Sequence, residues 1–213
     1  MKRGQNRARH DGGTALEFIT INDRIGYRPA SDQPLSADIG VIKQGDGTWL
    51  YDVGGWAEHA RGLDEAYDIV LSHFHADHTG NLGRIRARSL YVSEETYRHV
   101  QYGTIVRGDL YIGDMHLFPL PSSHAKGCLG LEVGDTYAFV GDALYCRVRD
   151  GFYVYNAQLL RDEIAVLRAL RASRLLVSHR PGMLRERDEA LEELKAIYGM
   201  REGNAPEIRI PMQ

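Results

Sequence analysis

Three histidines and an aspartate crowd into six positions of the stretch LSHFHADHTG, residues 71–80: His73, His75, Asp77 and His78. The chain has nine histidines in 213 residues. Independent placement at such frequencies gives an H-x-H-x-D-H string on the order of 10⁻³ times per chain. Imidazole nitrogens mixed with carboxylate oxygens suit zinc, iron or manganese, where a set of thiolates would point to structural zinc. Side chains alternate faces along an extended segment, so His73 and His75 point the same way and can grip one ion. Asp77 and His78 follow where the chain turns, and can face a second ion nearby.

Three further residues of the same chemical kinds follow apolar runs. His124 comes after MHLFPL in PLPSSHAKG, Asp142 after TYAFVG in AFVGDALY, and His179 after RLLV in LLVSHRPG. Loops at strand ends are where reactive side chains gather. Ser72, Ser123 and Ser178 each precede a candidate histidine and are of a kind that can support a ligand, but serine is too common for the pattern to carry weight. Lys126 has the charge to meet an anionic substrate group near His124, although a solvated lysine is the plainer reading. Phe152, Tyr153 and Tyr155 in GFYVY read as strand residues of the core in preference to a substrate wall. His10, His59, His99 and His116 fall outside the pattern and are expected to be surface or satisfied residues. No chemistry is assigned to Cys128 or Cys146.

The elements that must position these groups alternate along the chain. LEFITI (16–21), ADIGVI (37–42) and TWLYDV (48–53) read as strands, with a QGDG turn joining the last two. WAEHARGLDEA (56–66) fits a helix, YDIVLSH (67–73) a strand, and a short helix is expected after the histidine motif. SLYVS (89–93) reads as a strand leading into a helix at EETYRHV (94–100), with Ser93 as N-cap and Glu94 and Glu95 complementing the helix dipole. Strands follow at 109–112, 115–120, 128–133 and 136–141, the last two joined through a tight Gly134–Asp135 turn. NAQLLRDEIAVLRALRA (156–172) has Leu160, Ile164, Leu167 and Arg171 at helical spacing. RLLVSH (174–179) reads as a strand, and ERDEALEELKAIYG (186–199) closes as an amphipathic helix. Strand clusters interrupted by helices imply mixed sheets covered by helices.

Bulk properties narrow the partners. The composition is 43% hydrophobic and 26% charged, ordinary for a globular protein. A net charge of −3 argues against nucleic acid as the main partner, since phosphate neutralisation needs a basic surface. No apolar run approaches the ~20 residues of a membrane span. MKRGQNRARHDGG, residues 1–13, reads as a disordered extension, leaving 14–213 as one domain. Two cysteines are too few for a disulfide framework, so a reducing cytoplasm is expected. The expected partner is a small-molecule substrate, with no nucleic acid and no membrane, and a homodimer is compatible with this size.

The H-x-H-x-D-H motif, followed by single His, Asp and His residues at strand ends, resembles the metallo-β-lactamase superfamily. The likeness spans roughly residues 14–185 and lies nearest the lactonase and glyoxalase II-like branch. It implies an α+β or α/β fold: a four-layer αββα sandwich of two mixed β-sheets flanked by helices, with two divalent metal ions, foremost zinc, along one edge. By position, His73, His75 and His124 resemble ligands of the first ion. Asp77, His78 and His179 resemble those of the second, and Asp142 the carboxylate bridging both. Asp52, in LYDVGG, matches the acidic residue that orients a ligand imidazole. Around the third histidine the family's GHTPGH is here SSHAKGC, keeping only His124 and Gly127.

The chemistry so implied is hydrolysis. Two ions about 3.5–4 Å apart lower the pKa of a bridging water toward neutrality, giving a hydroxide nucleophile. Asp77 would orient it and relay a proton, and Tyr145, three residues past Asp142, would offer its phenol to the oxyanion, as in the lactonases of the superfamily. An ester, lactone or thioester of a small molecule is the expected substrate. Asp142 at the bridge disfavours the antibiotic β-lactamases. A phosphodiesterase of the same fold ranks second, and a non-catalytic metal-binding protein is the reading from another class.

Overall fold

The computed structural model describes residues 17–212. The extension expected over residues 1–13 and His10 lie outside them. The first half of the chain builds one sheet and a separate hairpin. Its strands are Ile19–Thr20 (β1), Ile25–Arg28 (β2), Ser31–Asp32 (β3), Leu35–Ser36 (β4), Ile39–Gln44 (β5), Gly47–Tyr51 (β6), Ala66–Val70 (β7), Arg86–Val92 (β8) and Thr104–Ile105 (β9). The helices Ala76–Thr79 (α1) and Glu94–Val100 (α2) interrupt the run. Seven strands pair in the order β1-β2-β5-β6-β7-β8-β9, antiparallel through β6 and parallel beyond it, while β3 and β4 form a separate hairpin.

The second half contributes Leu110–Ile112 (β10), Met115–Leu120 (β11), Cys128–Val133 (β12), Tyr137–Gly141 (β13), Arg147–Arg149 (β14), Phe152–Asn156 (β15), Ala157–Ala169 (α3), Arg174–Val177 (β16), Leu184–Glu186 (β17), Arg187–Gly199 (α4) and Glu207–Pro211 (β18). Six strands pair in the order β10-β11-β12-β13-β16-β17, and β14, β15 and β18 form a small third sheet.

Strand alternation sorts the apolar side chains into three layers. On β6, Trp49 and Tyr51 face the second sheet, where they join Leu117, Leu131 and Phe139, while Leu50 faces outward with Ile69, Leu90 and the side of α2. On β13, Phe139 points inward, and Ala138 and Val140 point outward beneath α3 and α4 with Leu160, Leu167 and Leu194. Helix, sheet, sheet and helix thus stack as the expected four layers.

Three expected elements differ. The helix over 56–66 shrinks to a 3₁₀ turn at Ala57–Ala60, because Gly62 adopts φ 78° and β7 begins at Ala66. Among the described residues of the stretch 16–21, the strand covers Ile19–Thr20. Arg171 falls beyond the end of α3 and pairs with Asp135 across 2.6 Å, so it takes no part in the apolar stripe of Leu160, Ile164 and Leu167. Ser93 caps α2 as expected, its hydroxyl accepting the Thr96 amide at 3.1 Å. No helix among the described residues is long and apolar enough to cross a membrane.

Candidate metal centre

The histidine motif lies just past β7, where the strand leaves the sheet and bends into α1. Its loop is stitched to both sides: Ala37 donates to the Asp77 carbonyl and Val53 to that of His78, each at 2.9 Å. The Asn81 amide adds bonds to the carbonyls of Val53 and Trp56. Gly55 packs under this loop so tightly that a Cβ there would stand 2.7 Å from the Asp77 Cα and 3.0 Å from the Ala76 carbonyl oxygen.

The other side chains arrive from the second sheet. His124 follows β11, Asp142 follows β13 and His179 follows β16. Gly141 turns the chain at φ 53°, with the Ser72 side chain where its own Cβ would lie. Ser122 accepts the His124 amide at 3.0 Å and donates to the Ala143 carbonyl at 2.8 Å, tying the His124 loop to the Asp142 loop. His179 takes φ 59°, rare for a residue with a side chain. Its amide is held by Asp38, a buried carboxylate that also accepts the Ala30 amide, both at 2.9 Å.

The structure brings the seven side chains into two groups, His73, His75 and His124, and Asp77, His78, Asp142 and His179, each able to hold a metal ion. Nδ1 of His75 stands 2.9 Å from Nε2 of His73 and 3.1 Å from Nε2 of His124. In the second group Oδ2 of Asp77 is 3.0 Å from Nε2 of His179 and 3.6 Å from Nε2 of His78. Oδ2 of Asp142 links the groups, 3.4 Å from His124, 3.3 Å from His78 and 3.8 Å from His179. Zinc–nitrogen bonds near 2.0–2.1 Å would separate two donors on a tetrahedral ion by about 3.3 Å, the scale of these contacts.

Two buried atoms of the cluster lack a hydrogen-bond partner, Nε2 of His78 and Oδ1 of Asp142. An orphaned imidazole nitrogen facing carboxylates is costly unless a cation sits there. Electrostatics agree. Burial, reinforced by His78 and His75, holds the His73 imidazole far below its ordinary range, in the neutral form a metal binds. Burial opposes a charge on His78, but Asp52 and Asp142 together outweigh it and draw positive charge to that ring. For Asp77 the burial penalty is overcome by the His179 bond and the His78 charge, holding the carboxyl down to about 2. The donor set fits divalent ions. His73, His78 and Asp142 are buried while His75, Asp77, His124 and His179 are half-buried, so one side of the cluster faces solvent.

Behind the ligands lies a second layer. Asp52 is fully buried and accepts three bonds of 2.7 Å, from the Ser72 amide, the Ser72 hydroxyl and Nδ1 of His78. The Ser72 hydroxyl also touches Nδ1 of His73 at 2.9 Å. Sequence reasoning underrated Ser72 and missed Ser122, two residues before His124, and Asp38, 141 residues from the amide it holds. Ser123 instead accepts the Asn156 amide, and the Ser178 hydroxyl is buried without a partner. Tyr145 stands beside the site, its ring centroid 6.4 Å from that of His124 and its hydroxyl donating to the Ser178 carbonyl at 2.8 Å. Phe152, Tyr153 and Tyr155 lie on β15. Of the histidines outside the pattern, His59 is buried against Ser36, His99 stacks on Phe74, and His116 sits between Asp109 and Glu132. Cys128 and Cys146 are free thiols.

The fold is that of the metallo-β-lactamases. A model of the metallo-β-lactamase superfamily matches residues 32–104, the segment containing the H-x-H-x-D-H motif. FIM-1 metallo-β-lactamase from Pseudomonas aeruginosa, solved in a mono-zinc form, superposes with a TM-score of 0.66 at 14% identity, covering 87% of this chain and 96% of that one. DIM-1 metallo-β-lactamase gives 0.65 at 14% identity, over 87% and 98%. An enzyme from Hirschia baltica gives 0.61 at 12%, over 87% and 98%. Comparison with curated proteins finds no match.

Proposed function

We propose that the chain is a metal-dependent hydrolase of the metallo-β-lactamase superfamily, acting on a small-molecule ester, lactone or thioester. The observation that carries this reading is Oδ2 of Asp142, standing within 3.8 Å of donors from both groups. His73, His75 and His124 would hold one divalent ion and Asp77, His78 and His179 the other, with Asp142 shared. Zinc, iron and manganese all suit this donor set, and the mono-zinc form of the Pseudomonas neighbour favours zinc. When bound, such a pair supplies an activated water and a Lewis acid for the scissile carbonyl.

The chain's own groups do the rest. Asp77, ionised and half-buried at the solvent side, orients the attacking water and takes its proton on a carboxylate oxygen. Asp52 fixes the His78 tautomer by accepting from Nδ1, which leaves Nε2 with its lone pair toward the second ion. Tyr145, half-exposed at the rim, donates its phenol to the oxyanion once it turns from the Ser178 carbonyl. The open side of the cluster supports catalysis over a closed structural site. Two free thiols support a reducing compartment such as the cytoplasm.

The test is metal analysis of the purified chain beside a panel of lactone, thioester, phosphodiester and β-lactam substrates. Two ions per chain with lactone or thioester turnover are expected, both reduced in Asp142→Ala. Turnover of phosphodiesters or β-lactams alone overturns the substrate assignment, and full metal content and rate in Asp142→Ala overturns the bridge.

A further inference from the structure

Beside the loop that carries His124, a cavity of about 300 Å³ opens among the first turn of α3 and strands β14, β15 and β18. Three cations line it, Lys126, Arg147 and Arg149, together with Glu207, Ser123 and Asn156. Glu207 is taken by Arg149 at 2.6 Å and by Arg209 at 3.5 Å. Lys126 and Arg147 have no carboxylate within ion-pairing distance among the described residues. By contrast Arg24 faces Asp114, Arg88 faces Asp68 and Lys195 faces Glu192. Two unanswered cations on one concave wall make a field that focuses on an anion. Val154 and Leu159 give the same cavity an apolar lining.

The cavity is built from the segments that carry the metal-binding side chains. Lys126 is two residues past His124, which keeps their Cα atoms within roughly 7 Å. Arg147 is five residues past Asp142, within roughly 18 Å. None of the seven metal-binding candidates lines the cavity, so a charge held here is set apart from the reacting carbonyl, while the backbone that carries Lys126 and Arg147 lies no farther from His124 and Asp142 than those spans. Phosphodiesters carry their charge at the reacting atom, so this arrangement suits a tail and not a scissile phosphate. Arg147 can present its planar fork to both oxygens of a carboxylate, with Lys126 adding a point charge. Glu207, which also lines the cavity, disfavours a second negative charge.

We propose that this cavity recognises the terminal carboxylate of the substrate, an acyl compound whose scissile ester or thioester carbonyl lies at the metal centre while Lys126 and Arg147 hold its charged end. The proposal rests on the hydrolase reading above and names its substrate class. The apolar lining takes the methylenes between the two ends, in the manner of pockets that combine apolar walls with a few placed polar groups.

The experiment compares phenyl butyrate with monophenyl glutarate, two esters with one leaving group that differ by an ω-carboxylate, on the zinc-loaded full chain. The wild type is expected to favour monophenyl glutarate at least tenfold in kcat/KM at 0.1 M salt. The ratio falls toward one in the Lys126→Gln/Arg147→Gln double variant, and falls in the wild type at 1 M salt, where the screening length shrinks to about 3 Å. No preference in the wild type, or a preference that survives in the double variant, overturns the pocket. If zinc is bound and neither ester is cleaved, the substrate panel above decides the hydrolase reading, and calorimetry decides the pocket separately. Saturable binding of monophenyl glutarate, weakened at least tenfold in the double variant, upholds it; no binding or equal binding overturns it.

Discussion

Replacing Asp52 by asparagine changes one buried charge and almost nothing else. The residue sits at φ 61°, a conformation asparagine tolerates as readily as aspartate, so backbone strain is not added. The new amide keeps a carbonyl oxygen for the Ser72 N–H, and the Ser72 hydroxyl can rotate to accept where it once donated. His78 has no such freedom. Its Nδ1, 2.7 Å from the former carboxylate oxygen, would face an N–H. The ring then either loses that bond or moves its proton to Nε2, the atom directed at Asp142 and Asp77. Either way the donor meant for the second ion is compromised. Loss of such a supporting bond costs 10–100-fold in metal affinity, or about 1.4–2.7 kcal/mol. The first ion, held by His73, His75 and His124, should suffer less. Chelator-competition titration of wild type and Asp52→Asn checks this, with two resolved zinc affinities per chain. Wild-type affinity at both sites, or weakening confined to the first, would refute the reasoning.

Gly55→Ala drives a methyl against the backbone of Asp77, Ala76 and Leu35, none of which can rotate away. Destabilisation of about 1–3 kcal/mol is expected by urea unfolding, and a change below 0.5 kcal/mol would sink the packing argument. Glu163 is buried in the core on α3 with one carboxylate oxygen unpartnered, and burial raises its pKa well above the ordinary value. A raised folded pKa means stability is highest below the unfolded value and falls as pH rises above it, by up to about 1.4 kcal/mol per unit. Glu163→Gln should therefore be more stable than wild type at pH 8, with the gap closing toward pH 4 in thermal melts; a pH-independent gap contradicts this. Tyr145→Phe should lower kcat of the zinc-loaded enzyme about 10–100-fold. This is less than the ~10²–10³-fold of a dedicated oxyanion donor, because the phenol must first leave the Ser178 carbonyl. An unchanged kcat restricts Tyr145 to holding that loop.

The chemistry was more legible than the scaffold. The seven metal-binding candidates are His or Asp residues just past apolar runs or in the motif that follows one, and strands of the second sheet, those at 115–120 and 128–133 above all, show in the sequence with correct limits. Ser93 was legible because a cap is a local bargain between one side chain and the next turn. The region after Asp52 was not: WAEHARGLDEA has helical composition, but Ser36 binds the amides of Gly55 and Trp56 from a distant hairpin, fixing the chain in a loop. Short strands such as β2, β17 and β18 gave no periodicity long enough to read, being ordered by partners far along the chain. Asp38 escaped for the same reason, since a carboxylate 141 residues from the amide it anchors leaves no trace in spacing.

The division of donors between the two halves of the chain has a mechanical consequence. Four come from the loop after β7 and three from loops of the opposite sheet, so any ion bound here also clamps one sheet to the other. Loading should slow exchange of amides along the seam between them, and stripping the ions should let the sheets part at that edge first.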